Sequence, residues 1–154
     1  MSKEIPLTNG GFAIVDDEDY ENLSQFKWHK RGTGKYRYAF RIEKCKTFSM
    51  HRALINVPAG MQTDHIDGNG LNNLRSNLRI ATCAQNQFNA LGWGGKSNFK
   101  GVTWSKEKKK WISKIRITCR RLHLGYFHTE LDAAKAYNEA ALKYHGAFAK
   151  INNI

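Results

Sequence analysis

Residues 50–89 read MHRALINVPAGMQTDHIDGNGLNNLRSNLRIATCAQNQFN, and the fold turns on how this stretch is parsed. Between Asp64 and Asn77 it is dominated by Gly, Asn and Asp. Such residues take left-handed conformations or bond their own backbone, so a long helix or strand is ruled out and a loop is expected. Residues 57–62 (VPAGMQ) form a break before it. Leu78–Ala81 is a short strand, and Thr82 can cap a helix running to about Leu91. Asp64-His65 therefore closes a first strand. Asn77 follows His65 by 12 positions and Asn86 by 21. That spacing suits a strand, a long loop, a short strand and one helical turn folded back over the first strand.

The stretch resembles the HNH (ββα-metal, His-Me finger) nuclease family over roughly residues 50–90. The matching residues are Asp64-His65, Asn77 in Ser76-Asn77-Leu78-Arg79, and Asn86 on the following helix. Phosphodiester hydrolysis needs a base for water, a cation for the developing charge, and stabilisation of the leaving 3′ oxygen. A neutral imidazole suits the first role, which makes His65, the one histidine between Asp64 and Asn86, the expected base. A hard divalent cation wants few protein oxygens and keeps its other places for phosphate and water. Asp64 and the Asn86 amide oxygen are the expected metal ligands. By resemblance, Asn77 is not chemical and instead ties the loop so that His65 is aimed. The catalytic set implied is thus His65, Asn77 and Asn86. Many family members place a third histidine where this chain has Asn86, so one Mg²⁺ or Mn²⁺ ion per active site is expected rather than zinc. A calcium loop starting at Asp64 fails, because Ile66 and Gly68 fall at ligand positions and the twelfth residue is Arg75. Asp67 and Asn69 are turn formers.

Outward from this core, residues 1–56 read as a short α/β opening. Phe12–Val15 is an apolar strand, and Asp16 offers an N-cap for the acidic turn Asp17, Glu18, Asp19 and a helix near Tyr20–Gln25. Tyr36–Ile42 and Cys45–Met50 read as a hairpin across a polar turn. On the other side, Gly92-Trp93-Gly94-Gly95-Lys96-Ser97-Asn98 is a linker. Three strand-like runs follow: Phe99–Trp104, Lys110–Ile117 and Arg120–Phe127. Thr129 then caps a helix on which Ala133, Ala134, Tyr137, Ala140, Ala141 and Tyr144 recur at helical spacing, with Gly146 as its stop. The domains expected are residues 1–92 with the nuclease core at about 50–91, a linker over 93–98, and 99–154.

Residues 98–152 resemble the AP2/ERF DNA-binding domain. The resemblance rests on Phe99-Lys100-Gly101-Val102, Lys110-Trp111, Ile115-Arg116, Arg121-Leu122-His123-Leu124-Gly125-Tyr126-Phe127 and the helix from Thr129. It implies a three-stranded antiparallel sheet backed by one helix, with the open face in the major groove. Strand alternation reaches the same face from the residues alone. Trp111, Ser113, Ile115 and Ile117 point one way, and Lys110, Lys114 and Arg116 the other. Leu122, Leu124 and Tyr126 likewise oppose Arg121 and His123. Trp104, Trp111 and Tyr126 are read as core. Arg is the best reader of guanine, while the Lys106–Lys110 turn meets phosphate. Lys100, Thr103, Ser105 and Lys108 complete the expected DNA-contacting set. The plant motif has arginines at Thr103 and Ser105, Glu at Lys114 and Trp at His123, so its target sequence is not carried over.

Charge supports this division. Residues 1–92 carry 12 Lys/Arg against 9 Asp/Glu, and residues 93–154 carry 13 against 4, so +9 of the formal +12 lies in the last part. A basic domain suits a polyanion, since each neutralised phosphate releases counterions. Cys45, Cys83 and Cys119 are too far apart for a CxxC pair. The start, MSKEIPLTNGG, lacks a hydrophobic signal, and no run approaches a membrane span. The fold expected is α+β: an α/β opening with an HNH core, then the AP2-like sheet and helix. An HNH core joined to an AP2-like domain resembles the free-standing homing endonucleases of bacteriophages and other mobile elements. The resemblance implies a cytoplasmic monomer acting on double-stranded DNA and leaving 5′-phosphate and 3′-hydroxyl ends. Neither a membrane nor a small-molecule cofactor is expected as partner. Lys27, Lys30, Arg31, Lys35 and Arg37 could extend the DNA contact surface. The alternatives are a non-catalytic, sequence-specific DNA-binding protein with a degenerate core, and an RNA-binding module.

Overall fold

The computed structural model describes residues 1–33, 36–90 and 96–154. Lys35, Leu91 and the Gly92-Trp93-Gly94-Gly95 part of the expected linker lie outside the described residues. The chain divides into two compact units, Met1–Cys83 and Ala84–Ile154. Four small antiparallel sheets and a few helices make up the described residues, a mixed α/β composition. No helix among them is long and apolar enough to cross a membrane. Cys45, Cys83 and Cys119 are all exposed thiols.

In the first unit, β1 (Ser2–Pro6) pairs with β2 (Phe12–Asp16), the apolar run expected as a strand. Only Ile5 of β1 is buried, too weak an alternation to signal a strand before its partner is known. Helix α1 (Asp17–Ser24) follows with three acids in its first turn, where the positive end of the helix dipole favours them. Asp16 occupies the N-cap position, but its side chain makes no cap bond. Its Oδ2 instead accepts the Arg75 backbone N–H at 2.7 Å. Strands β3 (His29–Thr33), β4 (Tyr36–Glu43) and β5 (Lys46–Ser49) form a sheet in that order, and the one-turn helix α2 (Met50–Leu54) starts directly behind it. Neither β3 nor α2 was expected. The sequence HKRGT has no apolar residue to betray a strand, and β3 exists through its pairing with β4.

Strand β6 (Gln62–His65) pairs with β7 (Leu78–Ala81), placing Asp64 opposite Arg79 and His65 opposite Leu78. Ile5, Leu7, Ala13, Val15, Leu23, Trp28, Ala39, Met50, Leu54 and Leu78 share one core. Trp28 is its largest fully buried side chain, and its indole N–H donates to Leu23 O at 2.8 Å. The opening segment is therefore built into the same core as β7. Helix α3 (Cys83–Asn89) runs across the division between units, so all of it beyond Cys83 belongs to the second.

In the second unit, β8 (Val102–Ser105), β9 (Lys110–Ile117) and β10 (Arg120–Phe127) form an antiparallel sheet with β9 central, packed on α4 (Glu130–His145). Thr129 caps α4 as expected: its Oγ1 accepts the Asp132 N–H at 3.1 Å and donates to the Asp132 carboxylate at 2.6 Å. Ala133, Ala134, Tyr137, Ala140 and Ala141 are buried against the sheet, whereas Tyr144 is exposed. Gly101 is dictated by close approach as well as its φ of +78°, since a Cβ there would strike the Tyr137 ring and the Lys114 carbonyl.

The expected alternation holds along β9 but fails along β10. The register shifts between His123 and Gly125, so one residue is unopposed and the faces exchange. Leu124 and Phe127 turn inward, while Tyr126, expected in the core, is 48% exposed and lies 4.7 Å from the His123 ring on the open face. Leu122 is exposed as well. Trp104 and Trp111 pair directly across strands at 5.2 Å, and Trp111 packs on the helix-side core as expected.

Candidate functional site

The loop between β6 and β7 is organised by its own amides. Asp67 Oδ1 accepts Asn69 N–H at 2.8 Å, and Asn69 Oδ1 accepts Leu71 N–H at 3.1 Å, two successive Asx turns. Asn77 spans the loop. Its Oδ1 accepts Asp67 N–H at 3.1 Å, and its Nδ2 donates to Asp67 Oδ1 at 3.0 Å and Asn72 O at 2.8 Å. Its carbonyl also accepts Ile66 N–H at 2.9 Å. Burial alone would raise the Asp67 carboxyl, but hydrogen bonds from Asn69, Asn72 and Asn77 outweigh it and hold the group below the usual carboxylate range.

The loop is also anchored from outside. Ile14 N–H donates to Leu71 O at 2.8 Å, and Asn73 N–H donates to Ile14 O at 2.7 Å, so β2 forms its floor. The Arg75 guanidinium reaches Asp19 at 2.7 and 2.8 Å and Leu54 O at 3.2 Å. Gly70 sits against Tyr38 and the Arg37 carbonyl so closely that a Cβ has no room.

These ties surround His65, which is 5% exposed. Its Nε2 lies 3.4 Å from Asn73 Oδ1, a long contact. Asn73 Nδ2 donates to Leu71 O at 3.2 Å, which turns the amide oxygen of Asn73 toward the His65 ring. Burial pushes the imidazole below its ordinary value, against the opposing influence of Asn73, Asp67 and Asp64. Tyr38 and His51 flank the ring, with centroids 5.7 and 5.3 Å away. Asp64, 3% exposed, faces Arg79, whose Nε and Nη2 both reach its Oδ2 at 2.7 Å.

The structure thus brings Asp64, His65 and Asn77 together, and adds Asn73, Arg79, Tyr38 and His51, which the sequence reading did not include. A signal for Arg79 existed in the strand register, because residues paired across β6 and β7 must meet. None existed for Tyr38, which arrives from another sheet. Asn86 lies on α3 in the second unit. Among the described residues no group of three or more His, Cys, Asp and Glu side chains is placed so that it could hold a metal ion.

In the second unit, Lys114, Arg116, Arg121 and His123 are exposed, with Arg121 opposite Arg116 and His123 opposite Lys114. Thr103, Ser105 and Lys110 belong to the same outward set by register. Lys108 is on the exposed β8–β9 turn, beside Glu107 at 2.8 Å. Lys100, expected on the DNA face, is turned inward instead. Its ammonium donates to the Phe88 and Ala90 carbonyl oxygens at the end of α3, where unpaired carbonyls and the helix dipole favour a cation. Burial and the Lys150 charge push it down to about 8, so it remains mostly charged at neutral pH.

The HNH endonuclease family profile matches residues 56–88, which span β6, the loop, β7 and most of α3. An uncharacterized HNH endonuclease of Acanthamoeba polyphaga mimivirus is 34% identical over 148 residues, 94% of this chain and 76% of that protein. The chain belongs to the HNH endonuclease family. Protein 3.8 of Escherichia phage T7 is 43% identical over 56 residues, 36% of this chain and 46% of that protein. APETALA2-like protein 2 of Oryza sativa is 39% identical over 56 residues, 36% of this chain and 13% of that protein. Within its family, the chain combines an HNH nuclease domain with an AP2-like domain. No solved structure matches it.

Proposed function

We propose that this chain is a metal-dependent DNA endonuclease of the homing type, in which the AP2-like sheet selects the site and the HNH centre cuts. The observation that carries the reading is His65: a buried, neutral imidazole on β6, next to Asp64, in a loop braced by Asn77. In this reading β6, β7 and α3 are the ββα-metal element, and β8, β9, β10 and α4 are the AP2 sheet and helix.

His65 is the base that removes a proton from water, and the Asn73 amide oxygen beside its Nε2 orients the ring. Arg79 orients the Asp64 carboxylate and balances its buried charge. The donors Asp64 and Asn86 are a carboxylate and an amide oxygen, a hard set that fits Mg²⁺ or Mn²⁺ and leaves room for phosphate and water. A cation held there would supply charge stabilisation for the leaving oxygen. Asn77 acts through the loop rather than on the substrate. Hydrolysis would leave 5′-phosphate and 3′-hydroxyl ends. On the sheet, Arg116, Arg121, Lys114, Lys110 and His123 read base edges in the major groove, with Thr103 and Ser105 beside them and Lys108 on phosphate. Lys100 serves this face indirectly, as the cap of α3.

The test is cleavage of supercoiled plasmid with Mg²⁺. His65→Ala should lower turnover by ~10²–10⁴ while DNA affinity stays unchanged, because a general base contributes about that much. Excess EDTA should abolish cutting. A loss below tenfold would remove His65 as base, and full activity in EDTA would remove the metal.

A further inference from the structure

The bulge in β10 completes a row of side chains on the open face that the basic set does not explain. Beyond the bulge, Tyr126 stands opposite Ile112 on β9, and Ile112 stands opposite Thr103 on β8. Directly paired residues share a face, so these three form one row across the sheet. Tyr126 and Thr103 are exposed and Ile112 is half-buried, whereas Trp111, the residue before it on β9, turns to the helix-side core. Lys110 and Ser105 pair on one side of the row, Lys114 and His123 on the other. The His123 ring borders it, 4.7 Å from the Tyr126 ring.

A face that served only as an electrostatic anchor would need cations and nothing else, because phosphate is met by charge. Scattered apolar side chains on a surface need no explanation. An aromatic ring, a branched aliphatic chain and a threonine methyl in a single row, bounded by lysines, are not scattered. They form a narrow apolar strip inside a basic face. The base edges in the major groove offer donors, acceptors and one apolar group, the 5-methyl of thymine, and apolar side chains are what that group meets.

We infer that Thr103, Ile112 and Tyr126 form a contact for the 5-methyl group of a thymine, which makes this sheet a reader of A·T as well as G·C pairs. The inference rests on the reading in which the open face enters the major groove. Charge brings the phosphates to the lysines on either side, and the strip between them lies over the base edges. Ile112 and Tyr126 are thereby specificity-determining residues, whereas the arginines beyond them read hydrogen bonds.

The test uses the intact chain in EDTA, so that DNA is bound without being cut. Duplexes enriched by the chain from a random pool are resynthesised with deoxyuridine in place of thymidine, which removes the methyl group and keeps every hydrogen bond. Wild type should bind the thymine duplex about fourfold more tightly, the worth of one methyl-sized group taken out of water. That preference should shrink in Tyr126→Ala and in Ile112→Thr, each checked for a cooperative melt; the second keeps a branched side chain on the strand should the first fail to fold. Equal binding of the two duplexes by wild type would overturn the inference, as would enriched duplexes that share no thymine. So would a preference that persists in full in a folded variant, because the methyl would then be read elsewhere. Arg121→Ala in the same titration keeps the two readings apart. If it weakens binding while wild type treats the two duplexes alike, the sheet reads DNA and the methyl contact alone falls. If Arg121→Ala binds as wild type does, the groove reading of the sheet falls and takes the methyl contact with it.

Discussion

Asn77 shows how much one amide can organise. It joins the Asp67 backbone, the Asp67 carboxylate and the Asn72 carbonyl in a loop with little apolar packing of its own. Replacing it with alanine removes its bonds to the Asp67 N–H and the Asn72 carbonyl, and each hydrogen bond lost costs about 0.5–1.5 kcal/mol. Asn77→Ala should therefore lower the thermal midpoint and, on the proposed reading in which it acts through the loop, lower cleavage. Denaturation followed by calorimetry, alongside plasmid cleavage, checks both. Unchanged stability would mean that the loop is held from outside, by Arg75 and Asn73. At this scale Asp64, His65 and Asn77 were legible because polar residues at a fixed spacing announce themselves. Arg79, Asn73, Tyr38 and His51 were not, since each is defined by what folds against it.

At the scale of elements, β9 and β10 carry the DNA-reading argument. Alternation predicted the outward set on β9, and the register confirms Lys114 and Arg116 there. Arg116→Ala or Arg121→Ala should cost ~1–3 kcal/mol at a preferred site and relax discrimination at one base pair. Lys108→Ala should weaken all sequences alike and reduce the salt slope by about one. Binding titrations over several salt concentrations and a set of variant sites separate the two. The same uniform loss from Arg116→Ala and Lys108→Ala would reduce the sheet to an electrostatic anchor. The failure on β10 has a single cause, because the bulge after His123 breaks a period of two and brings Tyr126 to the open face. Tyr126 and His123 thus add a paired aromatic surface to the basic one.

For the whole molecule, the division into units falls at Cys83 and Ala84, well before the glycine-rich stretch that reads as a linker. The reason lies at the end of α3. Phe88 stacks on His145 at 3.8 Å and 8°, and Lys100 holds the Phe88 and Ala90 carbonyls. His145 in turn donates from Nε2 to Arg116 O at 2.7 Å. A fragment of residues 93–154 keeps +9 of the charge and the whole sheet, but leaves the Lys100 ammonium without those acceptors. A fragment of residues 84–154 should be more stable than 93–154 by about 1–3 kcal/mol, and both should bind duplex DNA. Equal denaturation midpoints would show that α3 adds nothing to the second unit.

The sequence by itself determined whatever is periodic or adjacent: the strand, Asn-rich loop and strand around Asp64-His65, the capped helix with its alanine stripe, the alternation of β9, and the uneven charge. Each is written in neighbouring residues, because turn chemistry, capping and strand pleat act over a few positions. Only the tertiary structure decided which distant segments meet. It placed Tyr38 and His51 against His65, bound Arg75 to α1, faced Arg79 to Asp64, turned Lys100 onto α3 and reversed Tyr126. These outcomes depend on how separate surfaces close on one another, and a local pattern carries no information about a partner it has yet to touch.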